Sequence, residues 1–186
     1  MKKIIVALFF AAALVAPALA DGLELIPKLG YLFSPEITID GHSDSEDSGI
    51  QVGAEVFFDM QNNFFLGAGL LWGQNTKYNK NIDEKIGFTN LYATAKYKIE
   101  INDSSCFIYP LLQLGFGMPG WEVSGYFHDY ELDSGFYWGA GVGAEICNII
   151  IDFIYGCNYA TRKIGSHSDN FTYTAFRINV GYKFDL

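Results

Sequence analysis

Nine charged side chains carry most of the chemistry available to this chain: Lys28, Lys96, Lys98, Arg177 and Lys183 against Glu55, Glu100, Glu145 and Asp152. Each falls on the polar side of a segment whose other side is apolar, so folding should collect them in one environment. Five cations and four anions nearly cancel. If buried together they must pair and hydrogen-bond, because an uncompensated buried charge is expensive. Such a set makes either a salt-bridged filling or the lining of a narrow ion path.

The histidines stand apart. His42, His128 and His167 lie in polar stretches beside Asp40, Asp44, Glu46, Asp47, Asp129 and Asp169. Imidazole and carboxylate suit a divalent cation, but no fixed metal spacing occurs and these read as solvated loop residues. The run 40–47 also lacks the spacing and terminal bidentate Glu of an EF-hand loop. A hydrolase would need a Ser activated by His and oriented by an acid. Ser43 adjoins His42, and adjacent side chains rarely point at each other. No catalytic residue, metal or cofactor is expected.

The elements that must position the charges are strands. The last fifteen residues alternate: Thr172, Thr174, Phe176, Ile178, Val180, Tyr182, Phe184 and Leu186 on one face, Tyr173, Ala175, Arg177, Asn179, Gly181, Lys183 and Asp185 on the other. Seven earlier segments alternate likewise, over 23–39, 50–60, 64–74, 89–101, 106–118, 135–146 and 149–159. In the first, Ile37 and Ile39 join Leu25, Leu29, Tyr31 and Phe33 on the apolar face. Segments of about ten residues are what a tilted membrane strand requires. Short connections at 59–63, 102–105 and 147–148 alternate with long polar ones at 40–49, 75–88, 119–134 and 160–170. Short and long ends therefore segregate to opposite rims.

The amino terminus agrees. Met1, Lys2 and Lys3 give a positive start, Ile4 to Val15 an apolar run, and Ala18-Leu19-Ala20 a small-x-small cleavage site, so residues 1–20 read as a cleaved secretory signal peptide and 21–186 as one domain. Loss of Lys2 and Lys3 takes the formal charge from −9 to −11, which argues against nucleic acid as a partner. Cys106, Cys147 and Cys157 are odd in number, so at least one is not bridged within the chain.

Alternation does not say which face points outward, and a soluble lipocalin-like ligand binder would bury the apolar one. The membrane reading is favoured because the apolar faces carry no Asp, Glu, Lys or Arg, each of which costs up to about 2–4 kcal/mol at the bilayer midplane. Aromatics gather toward strand ends as girdles, and the opposite face is rich in Gly, which relieves crowding in a narrow interior. The terminal Asn179, Gly181, Phe184 and Leu186, spaced polar-x-Gly-x-x-aromatic-x-hydrophobic, resemble the signal read by the machinery that inserts outer-membrane barrels.

With these features the chain resembles the small eight-stranded outer-membrane barrels of the OmpA, OmpX and opacity type. The resemblance implies an all-β, eight-stranded antiparallel up-and-down transmembrane β-barrel, monomeric, in the Gram-negative outer membrane, with both termini periplasmic. It implies contact with outer-membrane lipid and lipopolysaccharide and with the barrel-assembly machinery. Leu186 departs from the usual terminal Phe or Trp, and Pro110 within the fifth strand reads as a bulge. The expected function is a structural and surface-display role. Trp121, Tyr126, Phe127 and Tyr130 of the third long loop are the candidate contacts for an extracellular protein, since aromatics dominate interfaces. The alternatives are a narrow ion channel and a lipid A-modifying barrel enzyme. Ser166-His167-Ser168-Asp169-Asn170 resembles the His-x-Ser-Asn element of outer-membrane lipid A deacylases, but Asp169 occupies the place of the required Ser, so the nucleophile does not carry over.

Overall fold

Period-two alternation becomes two surfaces once the strands pair. In the computed structural model, which describes residues 22–45, 47–73, 76–79, 84–101, 105–123, 130–164 and 167–186, eight long strands follow one another: β1 Leu23–Ile39, β2 Gly49–Asp59, β3 Phe64–Gly73, β4 Glu84–Tyr97, β5 Cys106–Val123, β6 Gly135–Ile146, β7 Ile149–Ile164 and β8 His167–Tyr182. The leader expected at 1–20 lies outside the described residues. Each strand is antiparallel to its chain neighbours, and β1 closes on β8 from Lys28 against Gly181 to Ile39 against Phe171. The result is the expected closed, up-and-down, eight-stranded barrel. Closure satisfies the wall's backbone groups within the sheet, which is the condition for strands to cross lipid.

The outward face is hydrocarbon. Leu29, Leu70, Leu112, Val142 and Val180 are all exposed, Leu29 and Val142 to 59%. A band of this kind all round a barrel must meet lipid. Exposed Trp72, Phe116, Phe136 and Tyr159 mark its loop-side margin, and Tyr97, Tyr182 and Phe184 its turn-side margin.

Three expectations need correction. First, β1 changes parity: its register against β8 shifts between Phe33 and Glu36, where Ser34 has a φ of 29°. This bulge turns Ile37 inward, to 1% exposure, and packs Ile39 against the inner cluster. Second, Pro110 makes no bulge. The β4–β5 register runs through Lys96 against Leu111 and resumes unchanged at Ile99 against Ile108, so the ladder merely lapses where the Pro lacks its N–H. Third, β4, β5, β7 and β8 reach further toward the long-loop rim than the apolar pattern does, and the short strands His42–Ser45 and Tyr130–Asp133 pair with β1 and β7 there. Above the lipid, a hairpin has no need of an apolar face.

At the turn rim, Gln61, Asn62 and Asn63 all have positive φ, a conformation Asn tolerates. Gln61 N–H is held by the Asp59 carboxylate at 2.7 Å. The two-residue turn after β6 places Cys147 at a φ of 55°. Cys106, Cys147 and Cys157 are all free thiols.

Candidate functional site

The inward-facing side chains form layers. At the turn rim, Glu24 on β1 accepts from Lys96 at 2.8 Å and Lys98 at 2.6 Å and lies 3.8 Å from Lys183, while Glu145 on β6 pairs with Lys98 and Lys183, each at 2.7 Å. Lys96 also stands 3.9 Å over the Phe57 ring, so its ammonium joins the ionic layer to the apolar one above it. That second layer packs Ile26, Phe57, Phe65, Leu111, Ile150 and Ile154.

At mid-height Lys28 bridges two carboxylates, pairing with Glu55 and, at 2.5 Å, with Asp152. Each carboxylate receives a further donor. Tyr92 and Gln113 donate to Glu55 at 2.8 and 2.9 Å, and Tyr109 donates to Asp152 at 2.7 Å. The Gln113 carbonyl then accepts from Tyr137 at 2.6 Å and Arg177 at 2.9 Å, and Arg177 lies over the Tyr137 ring. Lys28 and Arg177 balance Glu55 and Asp152, so the layer is neutral, as a dry interior requires. Gln51 donates to Asn179 above it. The interior ends toward the loops in an apolar plug of Leu32, Ile37, Ile86, Phe88, Phe171 and Tyr173.

Glycines make room for these rings. A Cβ on Gly143 would lie 2.2 Å from the Tyr109 ring and 2.4 Å from the Asp152 carboxylate, and one on Gly69 would lie 2.5 Å from the Tyr92 ring. Gly143→Ala is therefore expected to push Tyr109 off Asp152 and to destabilise the barrel by about 1–3 kcal/mol. The temperature at which the compact gel band converts to the unfolded one should fall. An unchanged conversion temperature would mean that the ring has room to move aside.

Eight of the nine charges singled out above meet inside. Glu100 does not: it is exposed at the turn-side mouth and joins none of these pairs. Glu24, to which sequence reasoning gave no role, takes the place of that anion; its only signal was parity with Lys28. Asn179 is buried, and Gly181 lies so close to Ile26 and Pro27 that a Cβ would stand 2.8 Å from either. Phe184 and Leu186 are exposed outward.

Tyr126, Phe127 and His128 fall outside the described residues. Of Trp121 and Tyr130 only the backbone is described, in β5 and at the start of Tyr130–Asp133. His42 and His167 are exposed, and among the described residues no group of three or more His, Cys, Asp or Glu is arranged to hold a metal. Above the girdle, Arg162 donates to Asp169 at 2.6 Å, and this bond holds the Asp169 carboxyl below the usual carboxylate range.

The sequence profile of the outer membrane protein beta-barrel domain matches residues 5–184. No curated protein matches the chain. Among solved structures, Neisserial surface protein A superposes with a TM-score of 0.57 at 14% identity, covering 87% of this chain and 97% of that one. Ail, the attachment invasion locus protein of Yersinia pestis, superposes with a TM-score of 0.53 at 17% identity, covering 88% and 99%. At such identities these structures show the fold alone.

Proposed function

The chain belongs to the outer membrane protein β-barrel domain family, and on that premise we propose that it is a non-enzymatic, monomeric display scaffold whose long hairpins face the outside and mediate surface attachment. The observation that carries this reading is a filled lumen. The cavity lined by Leu32, Gln51, Asn90, Asn158, Tyr173 and Arg177 offers about 10 Å³, room for one water molecule, and the one beside Lys28, Glu55 and Asp152 offers none. The interior carboxylates are held by Lys28, Lys96, Lys98 and Lys183, and Arg177 is held by the Gln113 carbonyl and the Tyr137 ring, which supports a structural filling over a catalytic or ion-stepping role.

The differentiated end of the barrel is the long-hairpin rim, where β1, β7 and β8 extend past the lipid band into paired hairpins. Trp121, Tyr126, Phe127 and Tyr130 remain the proposed contacts for an extracellular protein, and the acidic first loop for cation-bridged lipopolysaccharide. Both termini then lie in the periplasm. The outward Phe184 and Leu186, behind the inward Asn179 and Gly181, are the surface that the assembly machinery would read. That Ail is by name an attachment protein supports the adhesive role.

The test pairs conductance with attachment. The folded chain in planar bilayers should show no reproducible ion conductance, and cells producing it without residues 121–130 should lose surface attachment while keeping a folded, heat-modifiable barrel. Discrete conductance steps would replace the scaffold with a channel. Unchanged attachment would remove the third loop from the function.

A further inference from the structure

On the outer wall, just above the aromatic margin, the hydrogen-bond ladder breaks. Pairing between β6 and β7 ends with Tyr137 against Asn158, and the next pair upward is Asp133 against Thr161. Three residues, 134–136, thus oppose two, 159–160, which is a β-bulge, a device that re-aims side chains and recurs beside functional sites. Gly135 sits in it so tightly that a Cβ would stand 1.6 Å from the Tyr159 carbonyl oxygen. The glycine lets the two backbones approach closely, and beside it on the outer wall lies a groove of about 450 Å³, lined by Ser134, Phe136, Tyr159, Thr161, Asn170 and Thr172.

Its lining differs in kind from the band below. Phe136 and Tyr159 offer ring faces at 49% and 47% exposure, Ser134 and Asn170 are exposed, and Thr161 and Thr172 are half-buried. The hydroxyls continue sideways: Tyr159 pairs with Thr172, Thr172 with Thr38, and Thr38 shares a 2.8 Å hydrogen bond with Ser43. The cations that flank the lining in sequence are paired, Lys163 with Asp133 at 2.7 Å and Arg162 with Asp169 at 2.6 Å. The groove is therefore a nearly neutral surface of rings, hydroxyls and an amide, continuous with hydrocarbon that faces lipid tails.

We propose that this groove seats the sugar headgroup of a glycolipid in the surrounding leaflet. A molecule whose tails lie on Trp138, Tyr155 and Phe153 brings its headgroup to the groove, and many hydroxyls beside an aromatic face suit a sugar ring better than a bare phosphate. The inference rests on the long-hairpin rim meeting the glycolipid leaflet. The test does not depend on that orientation if both leaflets carry the probe.

The mature chain is placed in phosphatidylcholine nanodiscs containing lipid A and phosphatidylglycerol in both leaflets, released, and weighed with its retained lipids. The wild type should retain lipid A in preference to phosphatidylglycerol. The double variant Thr161→Val with Thr172→Val, which swaps hydroxyls for methyls of like size, should retain about tenfold less lipid A. Its phosphatidylglycerol retention should not change. If that pair fails to fold, the exposed Ser134→Ala and Asn170→Ala carry the same comparison. Equal lipid A retention by folded variant and wild type would overturn the site. So would indiscriminate retention of phosphatidylglycerol, and competition by a free glucosamine disaccharide as effective as lipid A would overturn the membrane source.

Discussion

Lys28→Met is expected to lower the unfolding free energy of the barrel in lipid by about 3–5 kcal/mol, the range for breaking a buried ion pair from one side. The Lys28 side chain is 3% exposed and is the sole cation touching both Glu55 and Asp152 among the described pairs. Met fills much the same volume, so packing changes little. Two carboxylates are left facing each other across the lumen, served by Tyr92, Tyr109 and Gln113 as donors. Arg177 cannot stand in, because it reaches Gln113 rather than either acid. Urea unfolding from vesicles should show the midpoint fall at constant slope. Adding Glu55→Gln and Asp152→Asn should restore most of the loss, since a wholly neutral replacement of a buried charge group is often tolerated. A Lys28→Met barrel as stable as the wild type would mean that water or protonation already relieves these acids, and the filled-lumen reading would fail with it.

Glu24→Gln should be nearly as damaging, at about 3 kcal/mol. The turn-rim layer holds Lys96, Lys98 and Lys183 against the buried Glu24 and Glu145, with the exposed Asp185 3.4 Å from Lys183 at its edge, and neutralising Glu24 leaves three cations on one buried acid. Lys98 and Lys183 keep Glu145, but Lys96 keeps only the Phe57, Phe65 and Tyr109 rings. A cation over a ring is worth about 0.5–2 kcal/mol, less than a buried ammonium needs. Glu24→Gln combined with Lys96→Met should therefore recover a large part of the loss, which identifies Lys96 as the orphan. If Glu24→Gln changes the unfolding free energy by less than about 0.5 kcal/mol, the range of ordinary surface substitutions, then Glu24 is not the acceptor on which that layer depends.

Both predictions concern a layer whose members were mostly legible and whose partners were not. Lys28 and Asp152 share a parity that alternation reveals, because a lipid-facing position must be apolar and the charges are left to the other face. Nothing local says that residues 124 apart in sequence meet at 2.5 Å. That depends on the stagger with which eight strands close, a property of the ring as a whole. Glu24 and Glu100 had the same standing in the pattern, yet one lies inside the layer and the other at the exposed mouth.

The apolar face of each strand, the turns and the antiparallel order were fixed by residue type, since hydrocarbon tolerates no charge and each short turn must reverse the chain. Ile37 shows the limit of that reasoning. An Ile fits either lipid or a dry plug, so a single bulge at Ser34 moved it from one to the other without any change in its chemistry. The polar hairpins above the membrane escaped for the converse reason: water accepts any side chain, and their strand pairing comes from neighbouring β-structure. Residue type alone set which positions could face lipid. Closure of the barrel settled which charges meet, which cation lacks a second partner, and where a bulge interrupts the wall's pairing, because pair distances depend on register accumulated around the whole ring.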